Sequence, residues 1–135
     1  MSALPPALGL YRWASGLAGW AAAAALQDRM RKGKEDPARL TERMGEASLP
    51  RPGGALVWMH AASVGESRVS LALARSLKDA RADMTILLTS GTPTSAQLIA
   101  REGGGFLHQY VPVDTPEATG RFMAHWQPDL CVFVE

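Results

Sequence analysis

Ala55 to Met59, Met84 to Thr89, Leu107 to Val111 and Leu130 to Val134 are short apolar runs, separated by polar stretches of helical periodicity. Runs of this length without strict alternation suit strands buried on both faces. Between the first two, Glu66 to Ala80 places Val69, Leu73 and Leu77 at helical spacing, which predicts a helix with that stripe as its apolar face. Thr92-Pro93 opens a second helix that Gly103 to Gly105 closes, and Thr115-Pro116-Glu117 starts a third that ends before Pro128. The order β-α-β-α-β-α-β predicts an α/β fold, a Rossmann-like parallel sheet covered on both faces. Right-handed crossovers then bring every strand-to-helix loop to one edge of that sheet.

Upstream, Asp36-Pro37 followed by ARLTERM and closed by Gly45 predicts a short capped helix, and Pro50, Pro52, Gly53 and Gly54 mark a linker. The stretch from Leu8 to Leu26 is apolar and alanine-rich, with Arg12 its only charge. It is short for a span, which needs about 20 apolar residues, so a helix lying in the interface is expected, anchored by Tyr11, Trp13 and Trp20. The basic cluster Arg29, Arg31, Lys32 and Lys34 follows, of a kind that attracts anionic headgroups and stays cytoplasmic. An alanine-rich helix packed on the domain is the alternative. The resulting division is a membrane-associated helix with its basic cluster over 1–34, a short helix and linker over 35–54, and the sheet domain over 55–135.

Composition adds limits. The 135 residues are 47% hydrophobic, enough for one core, and a net charge of +1 gives no general attraction to nucleic acid. The single cysteine, Cys131, excludes an internal disulfide and reads as a buried strand thiol. His60, His108 and His125 lack metal-ligand spacing, so no metal is expected. Neither a dinucleotide-binding glycine fingerprint nor a P-loop occurs.

In an open α/β sheet, ligands bind beyond the carboxyl ends of the strands. The loop from His60 to Glu66 puts Ser63 and a carboxylate at a helix N-terminus, where a polar or anionic ligand can dock. Ser63-x-x-Glu66 is equally a capping box, which needs no ligand. The loop Ser90-Gly91-Thr92-Pro93-Thr94-Ser95 carries hydroxyls able to bond a sugar, though Thr92 before Pro93 is also an ordinary helix start. Asp114 reads as a turn or cap residue. Ala61-Ala62-Ser63-Val64-Gly65 lies one substitution from the nucleophile elbow of serine hydrolases, but Ser63 follows the first strand, where that fold has earlier strands. A non-catalytic, membrane-bound interaction module is a further alternative.

LVWMHAASVGESRVSLALARSL resembles the W-x-H-x-x-S-x-G-E signature of the 3-deoxy-D-manno-octulosonic acid (Kdo) transferases. TILLTSGTPTSA, RLTERMGE and YVPVDTPEATGRFMAHWQPDLCVFVE resemble that family's hydroxyl-rich loop, its E-R-x-G element, and its P-x-D-x-P helix start with the P-D-L strand. The resemblance implies the N-terminal half of a GT-B glycosyltransferase that transfers Kdo, with inversion, from CMP-Kdo to a lipid A precursor at the cytoplasmic face of the bacterial inner membrane. It implies no metal and no cofactor. The family's catalytic base maps onto Glu66, and a second functional glutamate onto Glu135. His60, Ser63, Gly65, Thr92 and Thr94 join Glu135 as the expected acceptor-binding residues. Gly91 stands where the family often has a larger or hydroxyl-bearing residue. CMP-Kdo would be held by a donor-binding domain beyond this sequence.

Overall fold

The computed structural model describes residues 6–17 and 19–135. Two helices, α1 (Pro6–Leu17) and α2 (Gly19–Arg31), precede a 3-10 helix at Pro37–Met44. Then follow β1 (Leu56–Ala61), α3 (Val64–Ala80), β2 (Thr85–Ser90), α4 (Pro93–Glu102), β3 (Leu107–Tyr110), α5 (Pro116–Trp126) and β4 (Leu130–Val134). All strands pair in parallel in the order β3-β2-β1-β4. The chain steps outward from β1 to β3 and then crosses back to β4. A topological switch point therefore lies between β1 and β4.

Each helix start has a local cause. Ser63, Thr92 and Thr115 hold extended backbone and accept the N–H three residues on, from Glu66, Ser95 and Ala118. Proline occupies the first turn of α4 and α5, where its missing N–H is harmless. One face of the sheet packs Val57, Met59, Ile86 and Leu88 against Leu71 and Ala74 of α3 and Leu98 and Ile99 of α4. The other packs Leu56 and Leu87 against Phe122 and Trp126 of α5.

The 3-10 helix closes the β3 edge with side chains instead of a strand. Glu42, fully buried, accepts the Tyr110 N–H at 2.8 Å, and Arg39 donates to the His108 carbonyl at 3.1 Å. Arg39 also donates both Nε and Nη2 to the Glu42 carboxylate, at 2.9 and 2.8 Å. Arg43 donates to the Val111 carbonyl, and its own carbonyl accepts from Val113 N. Gly45 ends the helix at φ 85°, where a Cβ would lie 2.0 Å from the Ala118 carbonyl oxygen, so glycine is required. The E-R-x-G element is thus a clamp on β3 and the loop after it. Burial and the neighbouring Arg39 charge push His108 down to about 3, so it is neutral, and its Nε2 lies 2.9 Å from Ser90 Oγ.

Four sequence-based expectations need correction. The apolar stretch Leu8 to Leu26 lies in two described helices, α1 up to Leu17 and α2 from Gly19. Ala18 and the Arg12 side chain lie outside the described residues. Among those residues no helix is long and apolar enough to cross a membrane. On α3 the buried face is Ser67, Ser70, Leu71 and Ala74, whereas Val69 and Leu73 are 56% and 43% exposed. Small serines let that helix approach the sheet closely, and only Leu77 of the expected stripe packs on the core. Cys131 is exposed on β4, which among the described residues pairs with β1 alone and whose Leu130 and Phe133 also face solvent. Finally, β1 continues to Ala61, so His60 is a strand residue.

Candidate active site

Strand β1 delivers His60 and Ala61 to the carboxyl edge of the sheet, and Ser63 turns the chain into α3. Both halves of the capping box are formed. Ser63 Oγ accepts the Glu66 N–H at 3.2 Å, while Glu66 Oε2 accepts from Ala62 N at 2.8 Å and Ser63 N at 3.2 Å. Capping leaves half of the carboxylate available: among the described residues Oε1 makes no hydrogen bond. The backbone donors, Ala62 foremost and then Ser63, hold Glu66 below the usual glutamate range against the opposing effect of desolvation, with smaller help from the Ser63 hydroxyl and His60. Glu66 is therefore ionised at neutral pH and able to accept a proton.

His60 pairs in register with Thr89 on one side and Phe133 on the other, and its ring meets Phe133 edge-on at 5.8 Å between centroids. Its Nδ1 lies 2.9 Å from Thr89 Oγ1, which also receives the Trp58 indole N–H at 2.8 Å. Burial lowers the His60 pKa, opposed by the Thr89 backbone and the Glu66 carboxylate, so the ring is neutral at pH 7.

Strand β4 sets Glu135 immediately beyond Val134, the partner of Ala61, so Glu135 stands exposed on the β4 side of the β1–α3 loop. His60, Ser63, Gly65, Glu66 and Glu135 thus share the switch-point edge. Thr92 and Thr94 belong to the next loop, beyond β2. Thr92 caps α4 and donates to Ser95 Oγ at 3.0 Å; Thr94 is exposed and lines a cleft of about 410 Å³ with Arg29, Gly33 and Lys34. Helix α2 is tied to this loop by Arg29, which donates to the Gly91 carbonyl at 3.2 Å and pairs with buried Glu35 at 2.6 Å. Tyr11 donates to Asp114 at 2.8 Å, so α1 reaches the β3–α5 loop at the same edge. Asp114 is no cap of α5; that role falls to Thr115.

The 3-deoxy-D-manno-octulosonic-acid transferase (kdotransferase) family model matches residues 38–135, which include the whole sheet and both glutamates. The chain belongs to this family. The "Probable 3-deoxy-D-manno-octulosonic acid transferase, mitochondrial" of Arabidopsis thaliana is 38% identical over 108 residues, 79% of this chain and 24% of that protein. The 3-deoxy-D-manno-octulosonic acid transferase of Rickettsia bellii is 35% identical over 108 residues, 79% of this chain and 26% of its own. That of Haemophilus influenzae is 39% identical over 101 residues, 72% and 23%. This Kdo transferase family chain spans about a quarter of the length of these curated relatives. No solved structure matches it.

The hydrolase alternative finds no base for Ser63 among the described residues. Ser63 Oγ serves the Glu66 N–H, and among the described residues no histidine bonds it, whereas an activated serine needs that contact. Sequence reasoning singled out His60 and missed Thr89. The available signal was the Thr89-Ser90 hydroxyl pair that ends the apolar run of TILLTS, on the neighbour that parallel pairing sets beside His60.

Proposed function

We propose that this chain forms the acceptor-side part of an inverting GT-B glycosyltransferase that moves Kdo from CMP-Kdo to a lipid A precursor. Glu66 is the base that takes the proton of the attacking acceptor hydroxyl, and Glu135 helps to place the acceptor. The observation that carries this reading is the divided carboxylate of Glu66: Oε2 is fixed by two backbone donors, and Oε1 makes no hydrogen bond among the described residues. Such a group is positioned before substrate arrives, which is what general-base catalysis requires. His60, Ser63, Gly65, Thr92 and Thr94 form the acceptor surface, and CMP-Kdo is held by a second domain across the cleft. The test is a transfer assay. The full-length protein is expected to transfer Kdo from CMP-Kdo to a lipid A precursor and this chain alone to give none. Transfer by the chain alone, or none by the full-length protein, would reject the two-domain reading.

The same reading places residues 1–34 on the cytoplasmic face of the inner membrane. Trp13 and Trp20 are 66% and 78% exposed, and α2 ends in a basic turn. An apolar, aromatic surface beside cations suits an anionic bilayer interface. Since α1 and α2 touch the loops at the carboxyl edge, a lipid-borne acceptor would meet the site close to the membrane plane. The protein is expected to sediment with anionic vesicles and to lose most of that binding without residues 1–34. The double change Trp13→Ser and Trp20→Ser, on exposed positions, should weaken binding without unfolding. Unchanged sedimentation of both variants would exclude this surface.

A further inference from the structure

Thr89 is 1% exposed and makes two hydrogen bonds through Oγ1, one from Trp58 Nε1 and one with His60 Nδ1. A hydroxyl has one proton to give. The indole N–H can only donate, so Oγ1 accepts there and its own proton is free to serve His60 Nδ1. If Nδ1 carried the proton instead, the buried hydroxyl would receive two N–H groups and its proton would have no acceptor among the described residues. A buried donor without an acceptor is strongly disfavoured. The proton of a neutral His60 therefore sits on Nε2. That nitrogen makes no hydrogen bond among the described residues and is not among their buried unpartnered atoms, so it opens to solvent. The ring lies on β1 beside β4, at the crevice that Glu66 and Glu135 flank.

We propose that Thr89 is a positioning residue that locks His60 in the Nε2-protonated tautomer, making His60 a hydrogen-bond donor to an oxygen of the bound acceptor. The second half rests on the acceptor-side reading above. In this form His60 has no lone pair facing the crevice and cannot act as a base there, so proton removal falls to Glu66. The ligand atom it recognises is a lone-pair oxygen, as in a sugar hydroxyl, ether or carboxylate, and an ammonium group at that point is rejected.

The tautomer is read directly by long-range ¹H–¹⁵N correlation of the ¹⁵N-histidine-labelled protein at pH 7, which requires no activity. The expected result is a pyridine-like Nδ1 and a pyrrole-like Nε2 for His60. Thr89→Val should allow the second tautomer to appear and shift the Trp58 indole signal, and Thr89→Ser should restore both. In the full-length enzyme Thr89→Val should raise KM for the acceptor about three- to tenfold with kcat little changed, the effect of weakening one hydrogen bond. A protonated Nδ1 in the unmodified protein overturns the proposal. So does a Thr89→Val spectrum with the tautomer unchanged, or an acceptor KM equal to that of the unmodified enzyme. Failure of the unmodified enzyme to transfer Kdo would strike the functional reading while the labelled spectrum still decided the tautomer.

Discussion

Glu66→Gln in the full-length enzyme is expected to lower kcat by about 10²- to 10⁴-fold, the range that a positioned general base supplies. The midpoint of unfolding should hardly move. A glutamine oxygen can take over the place of Oε2 between Ala62 N and Ser63 N, so the cap survives while the basic oxygen is lost. The two roles of this side chain separate in one variant, which no deletion would achieve. Near-normal turnover would reduce Glu66 to a capping residue. The pH profile gives an independent check. Because the Glu66 pKa is lowered, the acidic limb of kcat/KM should lie below the ordinary glutamate value of about 4.3. The sign for stability is the same: a depressed carboxylate stabilises the fold above its unfolded-state pKa, and that contribution is lost as pH falls through the folded value.

Glu42→Ala should have the converse signature, a loss of about 3 to 5 kcal/mol in stability. Glu42 has no solvent exposure, and its carboxylate takes hydrogen bonds from Tyr110 N, Arg39 and Ser48 Oγ. Truncation leaves a buried strand N–H unpaired and takes the carboxylate from the part-buried Arg39 guanidinium, which keeps its contacts with His108. Part of the guanidinium's penalty is relieved by water, since the Arg39 side chain is 31% exposed. Against a typical total of about 5–15 kcal/mol the loss would be severe. Urea unfolding measures it, and a change under about 1 kcal/mol would show that the clamp on β3 is dispensable.

These two glutamates also mark what the sequence disclosed and what it withheld. Ser63-x-x-Glu66 is a local pattern, completed within a few residues, so both its cap and its place at a strand end were legible. The strands and helices were legible for the same reason: Thr92-Pro93 and Thr115-Pro116 announce helix starts from adjacent residues. Glu42 finds Tyr110 68 positions away, and nothing near either residue signals that meeting. Val69 and Leu73 misled because helical spacing reveals a stripe without saying which way the stripe turns. Close approach to the sheet favoured the small Ser67 and Ser70 over larger apolar side chains. Cys131 misled because apolar neighbours indicate a strand but not which of its faces is covered within residues 1–135. His60 drew attention through its motif, yet its protonation state depends on Thr89, which only the β1–β2 register brings beside it.

The amino end of β4 holds one more lesson. Asp129 accepts the Leu56 N–H through Oδ2 at 2.8 Å and returns its own N–H to the Leu56 carbonyl at 2.9 Å, so the first rung between β1 and β4 is pinned by a side chain. From that fixed point the rungs are counted off residue by residue, and Glu135 arrives opposite the β1–α3 loop because the count is right. Asp129 therefore acts as the zero of a ruler whose far mark is the candidate site. A single residue inserted between Leu130 and Glu135 would leave the pin intact and turn every later side chain to the other face. The spacing from the P-D-L aspartate to the terminal glutamate is in this sense a length specification, set at the edge of the sheet opposite the chemistry.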